Sequence, residues 1–208
     1  MKLLCLLFTL TFFLSVQAEA KSHEEPALQA KDSPVAQAPV RLRSVKADFV
    51  QEKHLKILAR PIISTGTFTF QTPQSLRWEY QKPLHSILLM HGGKVKKFIE
   101  RDGRLTEEKG MQLDSMQVVL AEITNWLDGR FTDNAMFKVS FPDKKTILLT
   151  PKDQGIAALI STIELKLGEQ AGLLDAVTIF EGPDSSTRLI FTNRILNQEI
   201  PASLFTGR

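Results

Sequence analysis

Residues 61–90 read PIISTGTFTFQTPQSLRWEYQKPLHSILLM, and their alternation decides the fold class. Thr65, Thr67 and Thr69 alternate with Gly66, Phe68 and Phe70, a period of two that belongs to a strand with one wet and one dry face. Thr72-Pro73 stops it, because proline donates nothing to a ladder and drives its predecessor out of the helical region. Leu76, Trp78 and Tyr80 then share one face, with Arg77 and Glu79 on the other. Lys82-Pro83 breaks that run, and Ile87-Leu88-Leu89-Met90 follows, apolar on both faces. Three strands with short connections make a meander, and two Phe, a Trp and a Tyr fall near one another on it.

Outward from this centre the pattern stays mostly β. Val45, Ala47, Phe49 and Gln51 alternate with Lys46, Asp48 and Val50, predicting a first long strand that runs to about 58. His91-Gly92-Gly93 reads as a turn, 95–100 as a strand, Asp102-Gly103 as a tight hairpin and 104–109 as a polar edge strand. The period then changes. Met116, Val119, Leu120, Ile123, Trp126 and Leu127 recur at three and four, with Asp114 or Ser115 as cap and Gly129 beyond the end, so an amphipathic helix is predicted over 115–128. Strands resume at 135–141, with a turn at Pro142-Asp143, and at 146–150, 163–167, 176–181 and 187–192, with a short helical turn over 156–160. About ten strands and one inserted helix point to a mainly β (α+β) chain: a single curved antiparallel sheet, partly rolled into a barrel.

Residues 1–20 carry Lys2, an apolar run over 3–16 and Ala18-Glu19-Ala20, the pattern of a cleaved export signal. Residues 21–43 are rich in Ala, Lys, Glu, Gln and Pro and read as a flexible linker, leaving 44–208 as a single domain. Cys5, the only cysteine, lies in the signal, so neither disulfide nor thiol chemistry nor lipidation at the cleavage point is expected. The expected address is the periplasm of a Gram-negative cell. The 26 basic and 23 acidic residues are interspersed, and no arginine-rich run is interleaved with aromatics, which argues against a nucleic-acid surface.

Catalytic signatures are absent from the sequence. His23, His54, His85 and His91 have neither i, i+4 pairing nor carboxylates at metal spacing. There is no G-x-S-x-G elbow, no P-loop and no G-x-G-x-x-G. Glu107-Glu108 and Glu24-Glu25 read as solvated charge, and Arg77 as a surface residue pairing Glu79 or a cross-strand acid. No enzyme, metal or cofactor is expected. An aromatic and aliphatic inner face crossed by one helix has two physical readings: a closed core at native density, or an apolar cavity with the helix as a lid.

The runs A-D-F-V-Q at 47–51, S-T-G-T-F-T-F at 64–70, P-Q-S-L-R-W-E-Y at 73–80 with K-P at 82–83, and I-P-A-S-L-F at 200–205 together resemble the periplasmic lipoprotein-carrier (LolA-like) family. The resemblance covers about 45–205. It implies an incomplete, open β-barrel with a helical lid, carrying lipoprotein acyl chains from an inner-membrane exporter to an outer-membrane receptor. On that basis the ligand wall is assigned to Phe68, Phe70, Leu76, Trp78, Tyr80 and Leu89, and the lid to Met116, Leu120, Ile123 and Trp126. The protein is expected to act as a monomer. Carriage of another amphiphile, such as a glycolipid or a polyene-type acyl product, and a periplasmic lipid-binding sensor are the alternatives. The chain departs from the family pattern in three places. The region before the Phe-x-Gln strand is short and proline-punctured, Thr72 stands where well-studied carriers have an arginine, and H-G-G-K-V-K-K-F at 91–98 lacks the tryptophan of the family's hairpin.

Overall fold

The computed structural model describes residues 42–108, 122–123, 125–126, 134–169 and 173–207. The expected signal at 1–20 and most of the linker lie outside these residues, as do Met116 and Leu120.

Eleven strands form one antiparallel sheet: β1 (Ser44–His54), β2 (Ile62–Gln71), β3 (Ser75–Lys82), β4 (Ser86–His91), β5 (Lys94–Arg101), β6 (Arg104–Glu107), β7 (Phe137–Asp143), β8 (Thr146–Pro151), β9 (Thr162–Leu167), β10 (Leu174–Phe180) and β11 (Ser186–Leu196). Their spatial order is β6-β5-β4-β3-β2-β1-β11-β10-β9-β8-β7. The sheet is thus two meanders joined where β1 pairs with β11, and it does not close: β6 and β7 are its edges. Residues from β1 to β4 and from β7 to β11 nevertheless share a single apolar cluster, which requires the sheet to curve around a common interior. The mainly β, open-barrel architecture expected from the sequence is therefore present.

The local chemistry explains the tight ends. Gly92 and Gly93 take φ of 55° and 74° in the two-residue β4–β5 turn, and Asp102 and Gly103 take 52° and 71° in the β5–β6 turn. Both are left-handed positions that hairpins of this length demand. Gly66 on β2 has a different reason. A Cβ there would sit 1.9 Å from the Glu79 carbonyl oxygen, so the β2–β3 irregularity at Thr65/Gly66 closes only around glycine.

Several boundaries differ from the sequence reading. β1 ends at His54 rather than near 58, and Leu58 N donates to the Leu55 carbonyl in the loop that follows. The β7–β8 turn falls at 144–145, while Pro142 sits within β7 at a register shift. Proline is tolerated there because β7 is an edge strand. Helix α1 (Gln154–Ala157) starts earlier than the expected turn, capped by Asp153, whose carboxylate accepts from Gly155 N and Ile156 N. Helix α2 (Ser203–Thr206) lies against β3 and β4. Leu42 and Arg43, assigned to the linker by composition, are docked: Leu42 is buried, and Arg43 N donates to Asn197 Oδ1.

Candidate functional site

Period two puts Val45, Ala47 and Phe49 of β1, Phe68 and Phe70 of β2, and Leu76, Trp78 and Tyr80 of β3 on the inner face. Phe191 of β11 arrives from the other meander, across the β1–β11 pairing. The rings form a connected group. Trp78 stands 4.7 Å from Phe49, 5.4 Å from Phe68 and 6.2 Å from Phe191, centroid to centroid, and Tyr80 meets Phe49 edge-on at 5.2 Å. Such tilted and edge-to-face pairs add to the burial of the rings themselves. The Tyr80 hydroxyl donates to Gln51 Oε1 at 2.7 Å, which satisfies that polar tip of the wall.

Five of the six wall residues read from the sequence lie together in this cluster. Leu89 does not. The β3–β4 register pairs Leu89 with Arg77 and Leu88 with Trp78, so Leu88 and Met90 take the inner positions. Leu89 is buried on the outer face with Ile87 and Phe98, a separate apolar cluster to which Leu105 adds. A run apolar at both parities cannot reveal its side; only the register with β3 does.

Of the lid, Ile123 and Trp126 are described. Glu122, Ile123, Asn125 and Trp126 are helical, and both Ile123 and Trp126 are buried in the inner cluster. The segment is also held by a polar clasp absent from the sequence reading. Glu122 is buried, and its carboxylate accepts from Asn134 Nδ2 at 2.5 Å and from Asn125 Nδ2 at 3.3 Å. Asn134 Oδ1 in turn accepts from Met136 N and Phe137 N, at 2.9 and 2.8 Å. The clasp joins the helix to the start of β7. An Asn three residues before a strand carries no distinctive signal in sequence.

Among the described residues an apolar void of about 30 Å³ is lined by residues that include Val45, Ala47, Phe68, Ile123, Leu173 and Phe191. Ile123 and Trp126 of the helix segment supply part of the packing of the inner face. Trp78 Nε1 and Trp126 Nε1 are buried without an acceptor among the described residues. Each such orphaned donor costs on the order of 1–3 kcal/mol. Two larger clefts, of about 370 and 410 Å³, flank the C-terminal stretch 197–207 and are lined by Lys46, Arg77, Arg43, Gln71 and that stretch's own residues. Both are open, and their linings mix polar and apolar surface, unlike the almost wholly apolar inner hollow.

On the outer face, Arg77 Nε donates to Glu79 Oε2 at 2.8 Å, and its Nη1 reaches the carbonyls of Leu204 and Gly207, tying α2 to β3. His85 bridges Glu79 at 2.9 Å and Glu100 at 2.8 Å. Burial pushes the Glu79 carboxyl up, but the hydrogen bonds from Arg77 and His85 outweigh it and leave it below its usual 4.5. The Glu79 hydrogen bond, with Glu100 adding to it against partial burial, lifts His85 above its usual 6.5. No group of three or more His, Cys, Asp or Glu able to hold a metal ion occurs among the described residues.

The model of the outer membrane lipoprotein carrier protein LolA family matches residues 41–208. The chain belongs to the LolA family. Among curated proteins it is 26% identical over 166 residues to an outer-membrane lipoprotein carrier protein of Dechloromonas aromatica, a match covering 78% of this chain and 76% of that relative. Among solved structures, a DUF1329 family protein from Desulfovibrio piger aligns with a TM-score of 0.45 at 9% identity, over 82% of this chain and 91% of that one. A LolA superfamily protein from Nitrosomonas europaea aligns with a TM-score of 0.44 at 10% identity, over 84% and 94%. No helix among the described residues of this LolA-family chain is long and apolar enough to cross a membrane.

Proposed function

We propose that this LolA-family protein is a lipid carrier that takes acyl chains of lipoproteins, or of a related lipid, into the hollow now filled by Ile123 and Trp126. It hands them from the inner to the outer membrane. One observation carries the reading: the interior of an open sheet is completed by side chains from a separate helical segment. A plug of that kind can be exchanged for cargo without dismantling a strand. Displacing Trp126 gives up about 150–250 Å² of buried area, or about 4–6 kcal/mol. An acyl chain returns about 0.8 kcal/mol per methylene, so one chain of about fifteen methylenes outweighs the plug before ordering costs. The two orphaned indole N–H groups favour cargo whose chains end in ester or amide carbonyls, which accept hydrogen bonds that the apolar lining cannot.

On this reading residues 1–20 direct export and are removed, 21–41 tether the domain, and the protein works in the periplasm as a monomer. An inner-membrane exporter loads it, and an outer-membrane receptor unloads it. The wall is Phe68, Phe70, Leu76, Trp78 and Tyr80, joined by Phe49 and Phe191. Native mass spectrometry of the protein purified from the periplasm tests the reading. The expected result is a co-purifying mass of an acylated lipid or lipopeptide. A ligand-free protein that also fails to take up acyl lipid in solution would contradict it.

A further inference from the structure

Of the nine large hydrophobic side chains exposed among the described residues, seven lie at one end of the sheet: Ile57, Leu58, Ile62, Ile63, Leu84, Leu159 and Phe180. The ladder fixes this placement. β1 ends at His54 opposite Ser186, β2 pairs Ile62 with Lys53, and β3 ends at Lys82 opposite Thr65. β10 ends at Phe180, opposite Ser186 of β11 and Thr162 of β9. The β1–β2, β3–β4, β8–β9 and β10–β11 connections therefore emerge together. Only Val95 and Ile195 belong to the opposite end, beside the β4–β5 turn and the end of β11. Ile57 is 87% exposed and Leu84 56%, both on connections rather than on strands.

Four cations flank the densest group of apolar tips. Residues 53–65 contain Lys53, Lys56 and Arg60 and no acid, and Lys82 adjoins Leu84 across Pro83. Lys53 and Lys56 are offset by Glu181 and Asp184, at 3.4 and 2.8 Å. Arg60 and Lys82 have no ion pair among the described residues. Aliphatic tips on several separate connections, backed by cations a few residues away, fit a plane rather than a pocket. They suit a surface with an apolar interior and anionic headgroups.

We infer that the β1–β2 and β3–β4 end of the sheet docks this protein onto an anionic phospholipid surface, with Ile57, Leu58 and Leu84 entering the acyl boundary and Arg60 and Lys82 meeting the headgroups. This does not rest on the hollow's cargo, since the rim residues are not among those that line it. Flotation of the purified protein with phosphatidylcholine vesicles, with and without phosphatidylglycerol, tests it. Binding is expected only to the anionic vesicles and is expected to weaken with salt. Arg60→Ser and Lys82→Ser are each expected to lower it about fivefold, and the pair Ile57→Ser/Leu84→Ser to abolish it. The pair Val95→Ser/Ile195→Ser, exposed at the other end, is expected to bind as the wild type does. Uptake of a fluorescent fatty-acid probe is expected to be unchanged in all of these variants, so a failure at the rim is distinguishable from a failure of the carrier reading. No vesicle binding by the wild type, or equal binding by the Ile57→Ser/Leu84→Ser pair, would overturn the inference. So would a wild-type dimer in sedimentation that the same pair dissolves, since the occupant would then be a second copy.

Discussion

Replacing Trp126 by alanine separates a plug from a core residue, because the two roles change stability and acyl affinity in different ways. Trp126 is 1% exposed and packs in the inner cluster. Its truncation is expected to lower the stability of the empty protein by about 3–5 kcal/mol. In the wild type an entering acyl chain must first displace that ring, forfeiting about 4–6 kcal/mol of buried area. In the variant this opposing term is gone, so affinity for an acyl chain is expected to hold or rise while stability falls. Saturating ligand should then restore more stability to the variant than to the wild type, by mass action on the folded state. Urea unfolding with and without a long-chain acyl ligand measures both quantities, and probe displacement gives the affinity independently. Parallel loss of stability and affinity would refute the reasoning and return Trp126 to ordinary packing.

Other outcomes follow from particular contacts. Gly66→Ala is expected to destabilise by about 1–3 kcal/mol or more, because its Cβ meets the Glu79 carbonyl and the Phe49 ring; the unfolding midpoint reads this directly. A double-mutant cycle of Glu122→Ala and Asn134→Ala should give a coupling of about 0.5–3 kcal/mol, and each single variant should raise hydrogen exchange in the helix around Ile123. The outer-face network sets a pH window. His85 is raised above 6.5, so its contribution is full below that value and fades as pH climbs through its higher folded value. Glu79 is lowered below 4.5, so its contribution is full above that value and fades on acidification. Stability should therefore decline as pH rises above His85's usual value of 6.5, and His85→Asn should flatten that decline in urea midpoints taken across neutral pH.

The local parts of this fold were legible in the sequence, and the non-local parts were not. The 65–70 and 76–80 alternations, Gly92-Gly93 and Asp102-Gly103 each depend on neighbours within a few residues, and strands and turns stand where those residues put them. The residue pairing of β1 with β11 spans most of the chain, so Phe191 could not be assigned to the wall beside Phe68 and Trp78. Leu89 fell on the wrong side for the same reason: its face is a property of the register, not of its own apolar character. Leu42 looked like linker because proline and alanine precede it, yet it is buried. The Glu122–Asn134 clasp needs two ordinary polar residues brought together by the fold, and nothing in their spacing announces it.

The chain has two tryptophans, so Trp78→Phe leaves Trp126 as the sole indole reporter. Quenching of its fluorescence by aqueous acrylamide, followed as a long-chain acyl lipid is added, reads whether the plug leaves when cargo enters. The account predicts a shielded ring in the empty protein and a rise in quenching that saturates with lipid binding. Lipid binding that leaves Trp126 as shielded as before would contradict it.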